Sequence, residues 1–222
     1  MKQQLITFLK GILAGLAIGF GGFLYILMIH YVKGEFGNVL GSLLFAVGLF
    51  TVCTFYLSLY TGKIGLVFEK SQEKSFYISL PIMLIGNAVG AISLGYICWE
   101  IFKGNADLMT TVNSLCAKRT TLDTFSDYLS LIIKSSLCGL CVYFAVKCFA
   151  LNRLKPVGIF LLVFFVFIFV YCGFQHCIAN MYYLGFGNQF ANEKTYINLT
   201  LCILFNSLGT IPGVMMIKLL KK

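Results

Sequence analysis

The chain has 222 residues, of which 59% are hydrophobic and only 11% charged, whereas soluble domains carry roughly 25% charge, so the composition excludes an ordinary globular protein. Seventeen Lys and Arg face eight Asp and Glu, but the cations are scattered at the ends of apolar runs rather than clustered. That pattern argues against a nucleic-acid surface and for the positive-inside bias of an integral membrane protein.

The uncharged run between Lys10 and Lys33 is long enough for a first span, and its small residues, A14-G15-L16-A17 with Gly19, Gly21 and Gly22, predict close helix packing. The basic start at Lys2 and Lys10 imitates a signal peptide, yet no small-x-small cleavage site follows a short core, so a retained helix is expected. Between Glu35 and Glu69 lie 33 residues whose only charge is Lys63. About 20 apolar residues cross the hydrocarbon, so helix two is expected to break, at S58-L59-Y60-T61-G62. Helix three spans Ser75 to Trp99, with the small-residue motif G86-N87-A88-V89-G90 and its Trp at the interface.

The polar segment from Lys103 to Asp127 reads as the longest loop. Helix four begins near Tyr128, carries Lys134 inside apolar sequence and ends around Asn152-Arg153. Next come 37 uncharged residues between Lys155 and Glu193, again too many for one straight span, with Gly173, Gly185 and Gly187 supplying freedom for a break. Inside this fifth helix, G-F-Q-H-C-I-A-N-M-Y-Y (Gly173 to Tyr183) places His176 at membrane depth, where ionisable side chains are expensive and usually functional. Helix six runs from Tyr196 to about Leu220.

The halves repeat. A14-G15-L16 matches C138-G139-L140 at an offset of 124 residues, and G86-N87-x-x-G90 matches G209-T210-x-x-G213 at 123. Repeat one covers about 1–102 and repeat two about 124–222, within one transmembrane domain over 1–222. Three helices per half impose opposite orientations, which predicts an all-α membrane protein built as an inverted 3+3 repeat, with helices two and five broken around a midplane site. With both termini inside, ten cations fall on the inner side (Lys2, Lys10, Lys70, Lys74, Lys147, Arg153, Lys155, Lys218, Lys221, Lys222) and five outside (Lys33, Lys103, Lys118, Arg119, Lys194), fixing the orientation in a plasma or inner membrane. Most of the nine cysteines lie in apolar segments, and the lone CxxC at Cys138 and Cys141 reads as packing, so no disulfide framework, metal or cofactor is expected.

The helix-five motif closely resembles the G-F-E-H-S-I-A-N-M-F signature of the formate/nitrite transporter family, and S-L-Y-T-G resembles that family's break in helix two. The Gly15, Gly86-to-Gly90 and Gly209-to-Gly213 segments extend the resemblance over nearly the whole chain. It implies a homopentamer of aquaporin-like protomers, each with its own pore for small monovalent anions such as formate, nitrite, hydrosulfide, acetate or lactate. It also implies an outer apolar constriction at Phe45, Leu49 and Phe169 and an inner one at Leu59, Tyr60 and Val142. Thr61 would face His176 across the pore, Asn180 of the same signature joins the pore set, and Lys134 and Lys10 would stand toward the outer and inner mouths. The chain departs from the family where asparagines are usual, with Gly139 in helix four and Thr210 in helix six. It also has Gln175 in place of the acid before the histidine and Ser58 in place of the acid at the helix-two break, and its N-terminus is too short for a gate.

Each residue also has a plainer reading: a histidine bonded to backbone, lysines snorkelling to the surface, Phe and Leu as core. An imidazole, with an unperturbed pKa of about 6.5, offers a proton or hydrogen bond without a permanent charge that would trap an anion. Cations at the mouths would draw anions in, and Lys63, just past the first break, either snorkels, pairs or joins them. A proton co-transported with the anion, arriving from water or by way of His176, would let the neutral acid pass the apolar slit. Two alternatives stand beside this one. A neutral-solute aquaporin-like pore would not need Lys134, and a haem-binding membrane oxidoreductase would need His30 and His176 to share an iron, although one lies at a helix end and the other mid-span.

Overall fold

The computed structural model describes residues 2–69, 72–152 and 155–220. Lys70, Arg153, Lys221 and Lys222, four of the ten cations expected on the inner side, lie outside the described residues.

The described chain is helical, and five of its helical stretches are long and apolar enough to cross a membrane. α1 (Lys2–Tyr31) packs against both α2 (Glu35–Thr54) and α5 (Lys74–Phe102), while α7 (Phe125–Leu151) packs against α8 (Pro156–Tyr171) and α10 (Glu193–Leu208). These two triplets meet through α2 on α8, and through α9 (Cys177–Phe186) on α5. Large apolar side chains such as Leu13, Phe20, Ile97 and Phe160 are left exposed on the outside, as a lipid-facing surface requires.

Glycines set the helix crossings. A Cβ on Gly15 would lie 2.2 Å from the Asn87 carbonyl oxygen, and one on Gly139 would lie 2.0 Å from that of Asn206. Across the same pairs, a Cβ on Gly90 would lie 2.1 Å from the Ile12 carbonyl oxygen and one on Gly209 2.0 Å from that of Ser136. Backbone therefore touches backbone at both crossings, and no larger residue fits there without moving a helix.

Both overlong segments are interrupted. α2 ends at Thr54, and a non-helical stretch leads to the single turn α3 (Tyr60–Lys63) and then α4 (Leu66–Glu69). The break, residues 55–59, thus begins ahead of the expected S-L-Y-T-G and takes in only its Ser58 and Leu59, and its positive φ falls on Tyr56 (52°) instead of a glycine. In the second half α8 stops at Tyr171, Gly173 turns the chain at φ 67°, and α9 restarts at Cys177. Gly185 and Gly187 play other parts: Gly185 lies within α9, where it packs on α5, and Gly187 caps the helix. Every residue of α9 is buried, and ten residues rise only about 15 Å, so this helix reaches part of the way through the membrane.

One further expectation is corrected and one is refined. The Lys103-to-Asp127 loop contains α6 (Ala106–Thr120), capped by the Asn105 side chain on the Leu108 N–H and buried along Leu108, Val112, Leu115, Cys116 and Arg119. Helix six stands as one membrane-length stretch, Glu193–Leu220, with a turn at Gly209-Thr210 between α10 and α11 (Ile211–Leu220).

Candidate functional site

Each break is fastened by one buried asparagine. Asn87 on α5 donates through Nδ2 to the carbonyls of Gly11 (2.9 Å) and Ser58 (2.8 Å), and its Oδ1 accepts the Tyr60 N–H at 2.9 Å. Asn206 on α10 donates to Ser135 (2.8 Å) and Gln175 (2.8 Å) and accepts the Cys177 N–H at 2.9 Å. The Ser58 N–H reaches the Lys10 carbonyl at 3.3 Å, and the Gln175 N–H reaches that of Lys134 at 3.4 Å. These groups would otherwise be orphaned backbone at membrane depth.

That correspondence corrects the register of the repeat. Asn87 pairs with Asn206 and Gly90 with Gly209, an offset of 119 residues, four fewer than the match of G86-N87 to G209-T210. Helix six therefore carries an asparagine equivalent to Asn87, at 206, while Thr210 hydrogen-bonds the Ser207 carbonyl one turn below. Between the first and fourth helices the offset of 124 stands, since Gly15 and Gly139 occupy equivalent crossings. At Gly139 an asparagine side chain would collide with the backbone of Asn206.

His176 is the N-cap of α9. Its Nδ1 accepts the Ala179 N–H at 3.2 Å and its Nε2 lies 2.9 Å from Thr61 Oγ1. With Nδ1 occupied as acceptor, the neutral ring carries its proton on Nε2 and donates it to Thr61, which leaves the threonine hydroxyl hydrogen unused. Phe169 stacks on the imidazole at 5.8 Å between centroids, and Phe45 meets Phe169 edge-on at 5.6 Å. His176, Phe45 and Phe169 line a vestibule of about 760 Å³ together with Lys134, Asn180 and Arg119.

The other residues singled out from sequence lie outside this lining. Leu49, Leu59 and Val142 are buried in the core, and Tyr60, half-buried, places its hydroxyl 3.0 Å from Ser207 Oγ. Lys10 is exposed. Lys63, also exposed, borders a separate crevice of about 210 Å³ with Leu59 and Phe149. Lys147, counted as an inner cation, is tied to Glu69 on α4 at 2.6 Å, where Tyr143 joins the same carboxylate. His30 is held by Thr111 at 3.0 Å and Asp107 at 3.8 Å, partners unrelated to those of His176.

Sequence reasoning missed Asn206 and Arg119. N-x-x-G recurs at Asn87 and Asn206 and signals the first; an N-cap asparagine followed by apolar residues at helical spacing signals the helix that carries the second.

Membrane-length helices packed around two interrupted ones, with a buried polar pair beneath a cationic vestibule, define a multi-pass membrane protein of the channel and transporter class. The family model for formate/nitrite transporters matches residues 2–220, and the chain belongs to that family, whose members are channels and transporters rather than enzymes. The formate channel FocB of Escherichia coli K12 is 26% identical over 198 residues, covering 83% of this chain and 67% of FocB. Among solved structures, a pentameric formate channel with formate bound superposes with a TM-score of 0.81 at 23% identity, over 99% of this chain and 97% of that one. An ion channel of the same family superposes with a TM-score of 0.76 at 17% identity, over 99% and 89%.

Proposed function

We propose that the protein is a homopentameric channel for small monovalent anions or their conjugate acids, with one pore per chain passing the His176–Thr61 pair. The observation that carries this reading is that buried pair, whose His176 lines a vestibule bearing Lys118, Arg119 and Lys134 against one acid among the described residues, Asp127. Formate channels among the similar proteins support formate as the first substrate to test, and the pentameric neighbour supports the assembly. The whole chain, 1–222, acts as one domain of two inverted repeats, with the vestibule outside and both termini in the cytoplasm.

Cost dictates the mechanism. Burying a bare carboxylate in an apolar medium carries an idealised penalty on the order of 20 kcal/mol, so the anion needs neutralising at the slit. The vestibule cations concentrate it, and the apolar rings of Phe45 and Phe169 raise its basicity as water is stripped away. At the midpoint the Thr61 hydroxyl, whose oxygen is engaged by His176 Nε2–H, donates its own hydrogen to the passing oxygen. A proton taken from water or relayed through the imidazole carries the permeant onward as the neutral acid. Phe45, Leu49 and Phe169 form the outer constriction, Leu59, Tyr60 and Val142 the inner one, and Lys10 attracts anions to the inner mouth.

Proteoliposomes loaded in turn with formate, nitrite, hydrosulfide, acetate and glycerol test the reading. Flux of one or more of the acids but not glycerol is expected. His176→Phe and Thr61→Val should each cut it about tenfold or more, the loss of one hydrogen bond to a charged or polarised group. His30→Phe should change it little. Glycerol flux equal to that of the acids would refute the proposal.

A further inference from the structure

We propose that Arg119 is a capture residue in the vestibule that selects planar anions with two oxygens, such as a carboxylate or nitrite, over single-centre anions. This deepens the channel reading and rests on it. Arg119 sits in the last turn of α6, with only 9% of its surface exposed. Its Nε donates to Asn180 Oδ1 at 2.8 Å, its Nη1 donates to the Leu115 carbonyl at 2.6 Å, and the guanidinium lies 4.3 Å above the Tyr183 ring. Among the described residues no carboxylate pairs with it.

A buried guanidinium surrounded by neutral partners is a charge lacking its counterion. The nearby groups explain why none is supplied from within. Asn180 passes its own amide hydrogens to Gln175 Oε1 (2.7 Å) and Asn198 Oδ1 (3.0 Å), both uncharged. Asp127, the one acid on the vestibule wall among the described residues, has a carboxylate oxygen already taken by the Asp123 and Thr124 N–H groups and the Thr124 hydroxyl, which close the cap of α7. Of the five N–H groups of an arginine, two are bonded to Asn180 and Leu115, which leaves three on the guanidinium end. The two bonds, with the Tyr183 ring 4.3 Å beneath, restrict how the guanidinium can turn. A rigid planar fork matches two oxygens on one centre, whereas hydrosulfide or chloride gains only from the charge.

Uptake is measured for the wild type, Arg119→Lys and Arg119→Gln over a range of formate, nitrite and hydrosulfide concentrations. Arg119→Lys keeps the charge and loses the fork. Its half-saturating formate and nitrite concentrations should rise about tenfold, with hydrosulfide unchanged. Arg119→Gln should raise the values for all three anions. Gln175→Glu, which places a carboxylate one side chain away from the guanidinium, should also raise the formate value and covers the case in which Arg119→Gln fails to assemble. Unchanged formate affinity in Arg119→Lys overturns the proposal, and so does an equal rise for hydrosulfide. If His176→Phe blocks flux while Arg119→Lys shifts nothing, only this inference falls. If the wild type moves no anion, the channel reading falls, and line broadening of ¹³C-formate by the detergent-solubilised wild type but not by Arg119→Lys still decides the capture site.

Discussion

Replacing Asn206 probes the fastening around His176 most directly, because two of its hydrogen bonds hold the residues on both sides of the histidine and a third ties them to α7. In Asn206→Leu the Cys177 N–H loses its acceptor in a buried setting. The Gln175 carbonyl keeps the Cys202 thiol at 3.1 Å, and the Ser135 carbonyl lies within α7, where the helix ladder reaches it. One orphaned donor and one weakened acceptor, at about 1–3 kcal/mol for a fully unsatisfied group, give a loss of about 2–4 kcal/mol. Asn206→Asp has almost the same shape but turns an oxygen toward two carbonyls. It must then either bury a charge or, protonated, offer one hydrogen where two are needed, so it should be at least as damaging as leucine. Denaturant or thermal titration of the detergent-solubilised protein, followed by near-ultraviolet circular dichroism, ranks the variants. Formate uptake should fall in both, since the imidazole loses its anchors on either side. An Asn206→Asp protein as stable and as active as the wild type would refute the reasoning.

Gly139→Ala should destabilise the fold more than a helix-propensity gain can offset, because its methyl would meet the Asn206 carbonyl; a melting temperature at or above that of the wild type counts against this crossing. Native mass spectrometry in detergent should return five chains, and a stable monomer or dimer as the sole species contradicts the proposed assembly. A reporter fused to the C-terminus should be active on the cytoplasmic side, and activity only outside the cell reverses the orientation.

The interrupted helices were legible because hydrophobic runs of 33 and 37 residues exceed one span, and the histidine because charge-capable groups are rare at that depth. The register of the repeat was not. Matching small residues along a helix tolerates a slip of one turn, since residues four apart share a face, and G-N-x-x-G resembles G-T-x-x-G as well as it resembles the segment starting at Phe205. Only the hydrogen bonds of Asn87 and Asn206 distinguish the two. α6 was hidden for a different reason: its polarity fits a loop between spans, and its buried face is made by packing on α9, with Cys116 bonded to the Tyr183 carbonyl and set against Gly187. Arg119 looked like one more flanking cation because nothing local in the sequence reveals burial against a distant asparagine.

The four crossing glycines also constrain how this chain can change over generations. Glycine has no smaller neighbour in the genetic code, so every first substitution at Gly15, Gly90, Gly139 or Gly209 adds atoms where a carbonyl stands within 2.2 Å of the new carbon. No neutral first step is open at these positions, and a compensating change would have to shift a whole helix together with the asparagine latch beside it. The exposed apolar rows around Leu13, Ile97 and Phe160 meet no such backbone within the chain and can exchange one apolar side chain for another without moving its helices. Sequence drift in this protein is therefore channelled to its periphery, while the two crossings stay in register with one another.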